Sequence, residues 1–103
     1  MRFENHDDQA MAISAFRYAL GRSSYIVDMT VHWLREAWLQ LDERTRSVIV
    51  RDVVVALMRH EAGALHQSWR DFAAWAYRRL SPDTQQCIRD TTRFTGQSWP
   101  LST

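Results

Sequence analysis

The sequence predicts an all-α protein: a compact bundle of about five helices in a single domain spanning residues 1–103. Three observations predict it. Apolar residues recur three and four positions apart through most of the chain, the spacing that lines one face of a helix. Stop and start residues at Gly21, Asp42, Gly63 and Ser81-Pro82-Asp83 cut the chain into segments of helical length. One run alone is rich in β-branched residues, and nothing elsewhere in the chain offers it a strand to pair with. A chain of 103 residues is long enough for one core, burying roughly 60–70% of the surface its unfolded form exposes.

The first helix is expected near 7–20. Asn5 or Asp7 can cap it, and Asp7 and Asp8 suit the positive end of its dipole. Met11, Ala12, Ala15, Phe16, Ala19 and Leu20 follow at helical spacing, and Gly21 stands where a left-handed residue commonly ends a helix. Ser23 or Ser24 then opens the second helix, 24–41. Val27, Val31, Leu34, Trp38 and Leu41 form its main stripe, flanked by Ile26, Thr30, Trp33 and Ala37. That broad face makes the second helix the expected centre of the bundle.

The third helix, 43–60, starts behind the cap Asp42. Its SVIVRDVVVALM run has strand propensity, but the segment from Glu43 to His60 holds no internal turn signal, and its length selects helix. Ile49, Val53, Ala56 and Leu57 make the stripe. A break at Glu61-Ala62-Gly63-Ala64 leads to a fourth helix, 65–80, with Trp69, Phe72, Ala73, Ala76 and Leu80 facing inward. Ser81 as cap and Pro82 in the first helical position open the fifth, 82–95. Cys87, Ile88, Thr91 and Phe94 are its expected inner residues. Residues 97–103 read as a tail.

Composition narrows function by exclusion. Formal net charge is +1, so no global field draws the protein to nucleic acid or an anionic membrane. All 13 basic residues are arginine, which suits bidentate recognition of phosphate or carboxylate and equally follows from GC-rich coding. The single Cys87 rules out an internal disulfide. The polar, acidic start lacks a signal-peptide core, and no apolar run approaches a membrane span. A cytoplasmic protein without membrane contact is the expectation.

Catalytic and metal motifs fare poorly. His60-Glu61 would need a second His four residues on to share a zinc-binding face, but position 64 is Ala, and His66 lies beyond the break at Gly63. Asp28 and His32, at i and i+4, could serve as a base with its orienting acid, or simply as a surface pair. Cys87 reads as a small buried hydrophobe. No glycine loop is built to cradle phosphate. The expectation is no enzyme, no cofactor and no metal. A DNA-reading helix-turn-helix around Gly21 would need a short polar second helix, and this one is long and broadly apolar.

What remains is binding. Five tryptophans and three tyrosines exceed what a small core needs, and Tyr, Trp and Arg are the residues that anchor interfaces. Arg17, Tyr18, Arg22 and Tyr25 form one candidate partner-binding cluster. Trp75, Arg78 and Arg79, with Tyr77 among them, form another.

The segment AFRYALGRSSYIV, the Trp-Leu pattern after it and LDERTRSVIVRDVVVAL resemble a group of small proteins encoded by bacteriophages and prophages. In that group an LGR-x-x-Y turn precedes a helix, and an L-x-x-x-T-R stretch leads into another. The match spans Ala15 to Leu57, and its most specific part is Phe16 to Arg22 with Tyr25. The resemblance implies a phage setting in a host bacterial cell. By analogy with anti-CRISPR inhibitors, it implies steric blocking of a host protein complex, a CRISPR-Cas component being one such target. The alternatives are a helical nucleic-acid-binding module, through Arg17, Arg22, Arg78 and Arg79, and a homo-oligomeric structural protein such as a homodimer.

Overall fold

The structure, a computed structural model, describes residues 6–22, 24–59, 67–93 and 99–101. It holds α1 (His6–Ala19), α2 (Ser24–Ala37), α3 (Glu43–Arg59), α4 (Gln67–Tyr77) and α5 (Pro82–Thr92), with a 3-10 turn at Trp38–Gln40 following α2. No strand occurs among the described residues. The architecture is the all-α bundle of five helices that the spacing predicts.

Each local signal acts through a visible contact. Gly21 takes a φ of +91°, a conformation in which a Cβ is strained, and the Arg22 N–H donates to the Ala19 carbonyl at 3.0 Å to close α1. Asp42 caps α3 by accepting from the Thr45 N–H at 2.7 Å. Ser81 caps α5 through the Thr84 N–H at 3.2 Å, with Pro82 in the first turn. The cap expectations at Asn5, Asp7, Ser23 and Ser24, the break at Gly63 and the inward Phe94 lie outside the described residues or side chains.

The β-branched run is helical throughout. Ile49, Val50, Val53, Val54, Leu57 and Met58 are all buried, on two adjoining stripes. This double face lets α3 pack against α1, α4 and α5, whereas α2 packs chiefly on α1 and α4. The centre of the bundle is therefore α3, not the second helix. Branched side chains cost a little helix propensity, and complete burial on both stripes outweighs it.

Helix α2 stops at Ala37, short of the expected 41, because the chain tightens into the 3-10 turn. The Arg46 guanidinium takes the Trp38 carbonyl at 2.9 Å, and the Leu41 N–H donates to the same carbonyl at 3.2 Å. The buried Gln9 amide secures the next link from α1. It donates to the Gln40 carbonyl at 3.1 Å and accepts from the Asp42 N–H at 2.9 Å. One side chain thus satisfies both a donor and an acceptor of a connecting loop.

Through the core runs a continuous chain of rings. Phe16 meets Trp69 edge-on at 5.7 Å, Trp69 meets Phe72 at 6.1 Å, Phe72 meets Trp38 at 5.6 Å and Trp38 meets Trp75 at 5.8 Å. Edge-to-face pairs of this kind add about 0.5–1.5 kcal/mol each beyond the area they bury. The seam joins α1, α4 and the 3-10 turn. Its polar side is spare: the buried Trp38 and Trp69 indole N–H groups meet no acceptor among the described residues.

Two expectations about the C-terminal third fail. Cys87 and Thr91 are exposed, while Ile88 and Thr92 are buried. The inner face of α5 runs through Ile88 and Thr92, one residue on from Cys87 and Thr91. Within the expected tail, residues 99–101 are packed. Leu101 is buried in the core, Trp99 packs against Tyr77 at 5.2 Å, and Arg70 donates to the Pro100 carbonyl at 3.2 Å.

Candidate functional site

The surface is built from what the core leaves over. All five tryptophans are committed to it: Trp38 and Trp69 lie inside, and Trp33, Trp75 and Trp99 pack against it. Tyr77 is buried too, with its hydroxyl accepting from Arg89 at 2.6 Å. The expected surplus of interface aromatics therefore reduces to two tyrosines, Tyr18 at 60% and Tyr25 at 74% exposure. The turn at Gly21 sits between them.

The first candidate cluster divides. Tyr18 and Arg22 come together, the guanidinium lying 4.5 Å from the ring centroid while its Nε donates to the Tyr18 carbonyl at 3.2 Å. Those two contacts tie the guanidinium to the ring and to the end of α1. Arg17 faces elsewhere. It crosses to α3 and grips one carboxylate oxygen of Asp52 through Nε at 3.0 Å and Nη2 at 2.9 Å.

The second cluster is a helix end rather than a free patch. Arg78 donates to the Ala74 carbonyl at 3.1 Å and Arg79 to the Trp75 carbonyl at 2.8 Å. Both arginines thus serve carbonyls in the last turn of α4, where cations are favoured. The half-buried Trp75 ring carries Arg79 at 4.1 Å and Arg35 at 5.2 Å, so guanidinium groups already cover it.

Sequence reasoning missed Met29. It lies one turn after Tyr25 on α2 and is 56% exposed. The signal was available: Tyr25, Met29, His32 and Glu36 follow a 4-3-4 spacing opposite Val27, Val31 and Leu34. It also missed Leu39, 88% exposed in the 3-10 turn where the helical phase breaks. Met11, placed in the first apolar stripe, is half-exposed instead.

The catalytic alternative at Asp28 and His32 does not assemble. His32 pairs with Glu36 at 3.1 Å, and Asp28 accepts from the Ser68 hydroxyl at 2.6 Å. The pairs are solvent-exposed. His60, Glu61 and His66 lie outside the described residues, and among the described residues no three metal-ligating side chains converge. No helix there is long and apolar enough to cross a membrane.

One carboxylate is electrostatically tuned. Glu43, at the start of α3, accepts from the Ser81 N–H at 3.1 Å and lies 3.7 Å from Arg46. Burial pushes its carboxyl up. The Ser81 N–H, the Thr84 and Ser81 hydroxyls and Arg46 together outweigh that and hold it below the ordinary value. Its role is to tie α3 to the beginning of α5.

The fold and surface together define a small all-α domain with tyrosines projecting beside its first turn. No family model matches the chain, and neither the curated proteins nor the solved structures yield a match.

Proposed function

We propose that the protein acts by binding another protein through the α1–α2 surface formed by Tyr18, Arg22, Tyr25 and Met29. The observation that carries this reading is the exposure of Tyr18, Tyr25 and Met29 in a molecule whose tryptophans are all committed to its core. Large amphipathic side chains anchored by a pre-placed arginine are what interface hot spots use. The mechanism is steric: a rigid helical surface covers a working site of its partner. The resemblance of Ala15–Leu57 to phage-encoded proteins is the ground for taking that partner to be a host complex, with CRISPR-Cas components as candidate targets. Arg17, Arg78 and Arg79 take structural roles in this reading, and Trp75 belongs to the core margin.

The test is capture by the immobilised protein from nuclease-treated lysate of a bacterium with active CRISPR systems. A stoichiometric protein complex that survives nuclease, and that Tyr18→Ala with Tyr25→Ala abolishes, supports the reading. Each anchor is expected to contribute about 2 kcal/mol or more to binding. Retention that disappears with nuclease or falls steeply with salt would replace it with nucleic-acid binding.

A further inference from the structure

A second surface of different chemistry runs along α1 and α3. At one end, Ala10 and Ile13 of α1 face Arg44 and Val48 of α3 around a cavity of about 290 Å³. At the other, Leu20 faces Val55, Ala56 and Arg59 around a cavity of about 270 Å³. The Arg17–Asp52 ion pair bridges the furrow between them. The pairing of early α1 with early α3, and of late with late, means the two helices run in the same direction.

On the α3 side the stripe reads Arg44, Val48, Arg51, Val55, Arg59. The steps of four, three, four and four keep all five on one helix face. The floor is apolar and the rim is cationic. Arg44 and Arg59 are exposed, and neither has a carboxylate partner among the described residues. Among the described residues Arg51 pairs with its neighbour Asp52, at 3.4 Å. Both acids that border the cavities are engaged: Asp42 accepts from the Thr45 N–H at the α3 cap, and Asp52, which lines the second cavity, is held by Arg17 and Arg51.

We infer that this furrow docks an acidic amphipathic helix of a partner protein. The arginines repeat every seven to eight residues along α3, which is ~10–12 Å at 1.5 Å per residue. Carboxylates seven residues apart on an occupying helix recur at ~10 Å. The whole stripe from Arg44 to Arg59 spans ~22 Å, about four turns. The fitting ligand therefore carries leucine-like residues on one face and flanking acids at heptad spacing. Guanidinium groups pair well with carboxylates. A phosphate backbone would also meet the arginines, but it would gain nothing from the Ile13, Val48, Leu20 and Val55 floor. The inference stands apart from the tyrosine surface, so either can fail alone.

The experiment uses the full chain and an 18-residue fluorescent helical peptide with leucines on one face and glutamates seven apart beside them. Fluorescence anisotropy is compared with the same peptide bearing lysines for the glutamates and with a 20-base-pair DNA duplex. The glutamate peptide is expected to bind at least tenfold more tightly than either. Arg44→Glu with Arg59→Glu is expected to weaken it at least tenfold and to strengthen binding of the lysine peptide. Circular dichroism should stay unchanged and the melting temperature should fall only slightly, because both residues are exposed and only Arg59, in the last turn of α3, gives up a favourable dipole contact. Tyr25→Ala is expected to have no effect. The inference is overturned by no peptide binding, by equal binding of the two peptides, by tighter binding of the duplex, or by indifference to the reversed arginines. It is also overturned if the chain alone scatters light as a dimer that the reversal dissociates, since a second copy would then own the furrow.

Discussion

The ring seam inside the bundle and the two tyrosines outside it use the same class of residue to opposite ends. Phe16, Trp69, Phe72, Trp38 and Trp75 touch one another in sequence across α1, α4 and the 3-10 turn. Tyr18 and Tyr25 flank the Gly21 turn in solvent. An aromatic residue is thus informative about binding only after the core has taken its share. Here the core takes all the tryptophans, including the two buried ones whose indole N–H groups meet no acceptor among the described residues.

Substitutions separate the regions by size of effect. Trp69→Ala empties the middle of the seam and is expected to cost about 3–5 kcal/mol. Because small domains are stable by only about 5–15 kcal/mol in total, the variant should sit near the edge of unfolding in a urea titration. Trp75 lies on the boundary. Its ring touches Trp38 and Phe72 but is half-buried beneath Arg35 and Arg79. Trp75→Ala is expected to lose about 2 kcal/mol; a loss as large as that of Trp69 would erase the boundary.

Gly21→Ala tests the turn between the tyrosines. A Cβ there would meet nothing within 4 Å, so its cost is conformational alone, about 1 kcal/mol for forcing a positive φ on alanine. Thermal melting would measure it. A much larger loss would mean that the turn is coupled to the seam.

How much of this was legible follows the same division. Capping chemistry is local, and Gly21, Asp42 and Ser81 act as their residue types dictate. The β-branched run could be read as helix from its length. The identity of the central helix could not be read from one stripe, because α3 owes its place to two adjoining stripes that bury against three neighbours. Cys87 was misplaced because one residue of phase turns a side chain by about 100° on a helix. Arg17 looked like a free anchor because its partner, Asp52, is 35 positions away.

A smaller effect comes from Glu43. Its folded carboxyl is held below the ordinary value, so the folded state gives it up to protonation less readily than the unfolded state does. Its contribution is present above the unfolded carboxylate range and is lost as pH falls through the lowered folded value. Glu43→Gln is therefore expected to flatten this part of the stability curve in acid, by well under ~1 kcal/mol given its exposure to solvent. Denaturant titrations at neutral and acidic pH would show the wild type and variant converging as the pH drops. Smallest of all, Tyr25→Ala is expected to shift stability within about 0.5 kcal/mol. A greater loss would return Tyr25 to the structural side of the comparison.

The burial of Leu101 and the packing of Trp99 on Tyr77 also bear on how the chain comes off the ribosome. Phe16 and Trp38 are made before Trp69, Phe72 and Trp75, the rings that cover them, and Leu101 joins the core later still. Synthesis at roughly 5–20 residues per second leaves seconds during which Phe16 and Trp38 are already made and their final covering is not. The nascent chain passes through that interval with apolar rings uncovered, a window in which chaperones would meet it.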